Sequence, residues 1–124
     1  MRESAIKVLG DKDAEFVEIL RDLGMPRNAA TMLAYLKNVS EASAREIEIA
    51  TGLRQPEVSI AAKALREKGW LQESEVKQER QGRPMTIYSL GVPILDIIEH
   101  LGEKTRKEAA SVVETIERMR DLAP

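Results

Sequence analysis

The stretch Thr51–Trp70, TGLRQPEVSIAAKALREKGW, constrains this chain more than any other. Val58, Ala61, Ala62 and Leu65, with Leu53 one turn earlier, fall at the spacing that lines one face of a helix. The opposite face carries Arg54, Gln55, Ser59, Lys63 and Arg66, all hydrogen-bond donors of useful reach. Pro56 suits a first helical turn, where a missing N–H costs nothing. Gly69 stands where a C-terminal glycine stop is expected. Gly52 breaks the preceding helix and leaves only a short turn. The plain alternative is an ordinary amphipathic helix in an α domain.

At 124 residues the chain is long enough for one cored domain, or one domain plus an extension. There is no cysteine and one histidine, His100, so disulfides, thiolate sites and His-rich metal sites are not expected, and no cofactor is implied. No apolar run reaches membrane-spanning length and the N-terminus lacks a signal-peptide core, so a soluble cytoplasmic protein with no membrane partner is expected. No nucleophile–base pair of familiar spacing, phosphate loop or metal set is present, so an enzyme is not expected. Ser40, Ser43 and Ser59 read as caps and turn residues.

A net charge of −2 argues against a polyanionic partner, but its distribution argues the other way. Residues 1–50 hold seven Lys/Arg against nine Asp/Glu, and residues 91–124 hold five against seven. Residues 54–90 hold seven against five, so the net-positive part surrounds the donor-faced helix.

In chain order, Phe16, Val17, Leu20 and Leu23 follow helical spacing after Asp11 and Asp13, and Gly24 ends that helix. A second helix, from Pro26 to Lys37, buries Ala29, Met32, Leu33 and Leu36. Ser43-Ala-Arg-Glu46 is a capping-box pattern that opens a third helix. Glu46 and Glu48 do not form an acid/base pair, because residues two apart on a helix point to different sides. The third helix, the glycine turn and the Thr51–Gly69 unit together describe a helix-turn-helix. Residues 70–76 and 85–90 are then enriched in β-formers, the second alternating Thr86, Tyr88 and Leu90 against Ile87. The polar loop between them, with Gly82 and Pro84, predicts a β-hairpin.

From Val92 the helical period returns to the end. Leu95, Ile98, Gly102, Thr105, Ala109, Val112, Ile116, Met119 and Ala123 step by three and four, a 3.5-residue repeat interrupted at Gly102 and Thr105. Leu95, Ile98, Ala109, Val112, Ile116 and Met119 are expected to form a coiled-coil-like homodimer seam. A lone exposed helix is the alternative.

Helix, helix, capped helix, donor-faced helix, hairpin and long helix resemble, in that order, a winged helix-turn-helix transcription regulator. Leu23-Gly24-Met25, Ala29-Ala30 and Leu33-Ala34-Tyr35-Leu36 look like the opening of the archaeal TrmB-type domain. Thr51-Gly52-Leu53, Gln55-Pro56-Glu57-Val58-Ser59, Leu65 and Lys68-Gly69-Trp70-Leu71 resemble the core shared by TrmB, MarR and ArsR relatives. Gly82-Arg83-Pro84 with Tyr88 and Leu90 looks like their wing. The likeness covers residues 12 to 90, and the last helix resembles the dimerising helices of short archaeal regulators. In one departure, Arg54 stands where a serine often caps the recognition helix, an exchange that suits a DNA contact. The cysteines of metal-sensing relatives are also absent.

The expected fold is mainly α with a small β-hairpin (α+β): a winged helix-turn-helix with a long C-terminal dimerisation helix. Residues 1–91 would be the DNA-binding domain and residues 92–124 the dimerisation helix. The expected partner is double-stranded DNA, bound by a homodimer with two recognition helices in successive major grooves. Arg54 would pair with guanine and Gln55 with adenine, while Glu57 would accept from cytosine or serve only the helix N-terminus. Ser59 completes that first turn, Lys63 and Arg45 would meet phosphates, and Arg80 and Arg83 would reach the backbone or minor groove. The alternative is a winged-helix docking module of a transcription complex, with the basal transcription machinery as partner and no base readout.

Overall fold

A computed structural model of the chain describes residues 9–77 and 84–124. It divides into two compact units, Met1–Val92 and Pro93–Pro124. The first contains helices α1 (Asp11–Asp22), α2 (Arg27–Leu36), α3 (Ala44–Thr51) and α4 (Gln55–Glu67). Its strands are β1 (Ala42–Ser43), β2 (Leu71–Lys77) and β3 (Pro84–Leu90). The second holds α5 (Ile94–Asp121).

The core is built around α2, which packs on α1, α3 and α4. All of Ala29–Leu36 is buried, with Tyr35, Met32, Leu33 and Leu36 among the largest enclosed side chains. Sequence spacing pointed to Ala29, Met32, Leu33 and Leu36; the structure adds Ala30, Thr31, Ala34 and Tyr35. A helix surrounded by neighbours has no solvent face to mark with polar residues, so its periodicity is weak.

Lys37, just beyond α2, is tied to α1. Its Nζ lies 2.6 Å from the Asp13 carboxylate and 5.0 Å from the centre of the Phe16 ring. Asn38 Nδ2 also donates to Asp13, at 2.9 Å, and the Gly10 N–H donates to its other oxygen at 3.0 Å. Burial alone would raise the Asp13 pKa. The hydrogen bonds from Lys37, Asn38 and Gly10, with the Lys37 charge, outweigh it and bring the carboxyl to about 2.

Among the described residues the sheet has three strands, in the order β1-β3-β2, rather than the two of a simple hairpin. The hairpin is present, with Leu71 opposite Leu90 and Lys77 opposite Pro84. The added strand is β1, where Ala42 and Ser43 pair antiparallel with Tyr88 and Ile87. As the middle strand, β3 buries both Ile87 and Tyr88, so its two faces are covered. Gly69, at φ +77°, ends α4: its N–H donates to the Arg66 carbonyl and the Trp70 N–H to that of Leu65. This left-handed stop turns the chain directly into β2.

The second unit is one continuous helix of 28 residues, about 42 Å long at 1.5 Å per residue. Leu95, Ile98, Ala109, Val112, Ile116 and Met119 are all exposed on it. Val113 is exposed too, which broadens the apolar stripe beyond a narrow seam. Among the described residues, no helix is long and apolar enough to cross a membrane, and no cluster of His, Cys, Asp or Glu has metal-binding spacing.

Candidate nucleic-acid interface

The helix-turn-helix is shaped by hydrogen bonds that the local sequence dictates. Ser43 Oγ accepts the Glu46 N–H at 3.2 Å, and Glu46 Oε1 accepts the Ser43 N–H at 2.9 Å. Both residues are buried, so Glu46 serves the α3 cap and not the surface. This box fixes the start of α3 and leaves Arg45, in its first turn, exposed. At the other end, Thr51 Oγ1 donates to the Ile47 carbonyl at 2.6 Å and accepts the Leu53 N–H at 3.2 Å. Gly52, at φ +78°, makes the reversal that a β-carbon would strain. Leu53 then plugs into the core and Arg54 begins the next helix.

Val58, Ala61, Ala62 and Leu65 of α4 are buried, which turns Arg54, Gln55, Ser59 and Lys63 to the surface. Arg54 occupies the N-cap with an extended backbone, and its side chain makes no cap hydrogen bond. Glu57 takes that duty: its Oε1 accepts the Arg54 N–H at 3.0 Å. Arg66 forms an ion pair with Glu73 on β2, and Lys68 Nζ sits 5.3 Å from the centre of the Trp70 ring. Arg66 therefore joins α4 to the sheet, and Lys68 is engaged with the ring two residues on.

A groove of about 890 Å³ opens between the start of α3, the first turns of α4, and β3. Arg45, Gln55 and Ser59, predicted separately from the sequence, meet on its walls. Thr86 and Tyr88 of β3 line it as well, and sequence reading missed both as members of this site. Their alternation marked a strand, but nothing local says which helix that strand faces. Burial, and then the Glu73 charge, push the Tyr88 pKa up against the opposing effect of Arg66. Arg54 and Lys63 are exposed outside the groove. Arg80 and Arg83, which the sequence reading assigned to the backbone or minor groove, lie outside the described residues.

A capped first helix, a glycine turn, a donor-edged second helix and an antiparallel hairpin define the winged-helix class. Residues 23–83 match the family model described as the MarR family. The match takes in α2, α3, α4 and β2, so this part of the chain is similar to the MarR family and the fold is that of a winged helix. Solved structures with the same fold include a possible transcriptional regulator from Methanosarcina mazei. It is 19% identical, with 82% of this chain and 86% of that one covered, at a TM-score of 0.61. The YusO protein from Bacillus subtilis is also 19% identical, with 89% and 78% covered, at a TM-score of 0.52. At such identities the likeness is one of fold. No curated protein sequence matches the chain.

Proposed function

We propose that this chain is a homodimeric, sequence-specific reader of double-stranded DNA that places α4 in the major groove. The observation that carries the reading is the exposed edge of α4, where Arg54, Gln55, Ser59 and Lys63 stand beside a groove that also presents Arg45. Donors on one exposed helix edge suit base acceptors, and the flanking cations suit phosphates. Arg54 is assigned to guanine and Gln55 to adenine. Arg45 and Lys63 are assigned to the backbone, with Arg80 and Arg83 following it at the wing. Glu57 already holds one N–H with Oε1, so any acceptance from cytosine falls to its other oxygen.

The exposed apolar stripe on α5 supports self-association, since about 25 cal/mol is gained for each Å² of such surface removed from water. Two recognition helices in a dimer would enter grooves about one helical turn apart, roughly 34–36 Å. A soluble cytoplasmic regulator is the setting that fits such a partner. The deciding experiment is a gel shift against genomic fragments at two salt concentrations. Affinity that falls steeply with salt and differs between fragments supports the reading. Absence of any shifted complex would favour the protein-docking alternative, with the transcription machinery as partner.

A further inference from the structure

We infer that Ile60 is a specificity-determining residue that reads the C5-methyl group of a thymine in the major groove. The inference rests on the DNA-binding reading above and extends it to an apolar contact. Val58, Ala61, Ala62 and Leu65 define the buried side of α4. At 3.6 residues per turn, the side directly opposite holds Pro56, Ile60, Lys63 and Glu67, with Gln55 and Ser59 on the flank that borders the groove. Ile60 is 61% exposed at the middle of that outward side. Pro56 is explained by its place in the first turn, and Lys63 and Glu67 are the polar residues that water favours. Ile60 has neither reason, because its exposed alkyl surface contributes nothing to the core.

Duplex DNA presents one apolar feature at the base edges of the major groove, the thymine methyl; the others are donors or acceptors. An isoleucine on the outward side of α4, about 60° around the axis from Lys63 at 3.6 residues per turn, is complementary to that feature alone. The other exposed isoleucine of the helix-turn-helix, Ile49, lies on α3 and outside this edge.

The test uses the full chain and a duplex recovered by selection from a randomised library, with each thymine replaced singly by deoxyuridine. The parent should lose roughly three- to tenfold in affinity at one symmetry-related pair of positions. Ile60→Ala should bind the thymine and deoxyuridine duplexes alike, and Ile60→Val should retain part of the difference. A parent that binds the selected duplex but ignores every replacement overturns the role of Ile60 and leaves DNA binding standing. So does an Ile60→Ala variant that keeps the full penalty, or one that fails to fold. A parent that recovers no duplex overturns the DNA-binding reading itself, and the inference with it.

Discussion

The Glu57 carboxylate accepts the backbone N–H of Arg54 at 3.0 Å, so the N-terminus of α4 is held from within the helix. A serine at the cap would use its own side chain for such work; here the duty has moved three residues on. The Arg54 guanidinium is thereby released from any local role and stands exposed at the start of the helix. Capping and the proposed base contact rest on different side chains, and substitution can separate them.

Arg54→Ala should leave thermal stability within about 0.5 kcal/mol of the parent, because the cap uses only its backbone. Its cost should appear in DNA affinity instead, about 1–3 kcal/mol, with relaxed preference at one operator position. Fluorescence anisotropy against a set of single-base operator variants measures both quantities. An affinity and preference equal to the parent's would remove Arg54 from the interface.

Glu57→Ala should behave in the opposite way. Loss of the acceptor leaves an N-terminal N–H of α4 without its partner, at about 1 kcal/mol, while Glu57→Gln keeps most of the bond. Denaturant melts of the two variants check the order. Equal midpoints for Ala and parent would show that the cap adds nothing.

Asp13 sets an acid limit. Its carboxyl is held at about 2 against an ordinary 3.8. A depressed carboxylate stabilises the fold fully above its unfolded value and loses that contribution as pH falls through the folded one. The window therefore runs from about 3.8 down to about 2. Discounted for solvent screening, the difference is worth about 1 kcal/mol at neutral pH. Asp13→Asn should lower stability at pH 7 by about that amount and flatten the acid limb within this window. Urea midpoints measured across the range decide it, and parallel curves for variant and parent would reject the role.

The α5 stripe predicts the oligomeric state. Val112→Asp combined with Ile116→Asp puts two carboxylates on the exposed apolar face, so the double variant should sediment as a monomer where the parent sediments as a dimer. Two species of equal mass would exclude this stripe as the dimer seam.

At the wing, Arg83→Ala should weaken binding about evenly across sequences. It should also reduce the slope of log affinity against log salt by about one. A salt titration that superimposes on the parent's would take Arg83 off the backbone.

Much of this architecture was legible residue by residue. The glycine stops at Gly24, Gly52 and Gly69, the Ser43–Glu46 box and the three-and-four spacing of α4 are local devices. The stops and the box are satisfied by hydrogen bonds within a few residues, while the α4 spacing is a local pattern whose apolar face packs on α2. The third strand was not legible, because Ala42 and Ser43 are too few to show a period of two. Ser43 also reads first as a cap, and it holds both posts at once. Ile60 was overlooked because periodicity searches for where apolar residues belong in the core, and an exposed isoleucine one position off the buried set leaves that pattern intact.

The amino-acid sequence alone determined where helices begin and end, which face of α4 is apolar, and that a hairpin and a long helix follow. Those outcomes depend on backbone groups and neighbours a turn away. Tertiary structure alone decided that Arg45, ten residues before Gln55, shares a groove with it, that Thr86 and Tyr88 line that groove, and that α2 is enclosed from Ala29 to Leu36. Such neighbourhoods arise from packing between elements distant in the chain, and no local spacing encodes which surfaces will meet.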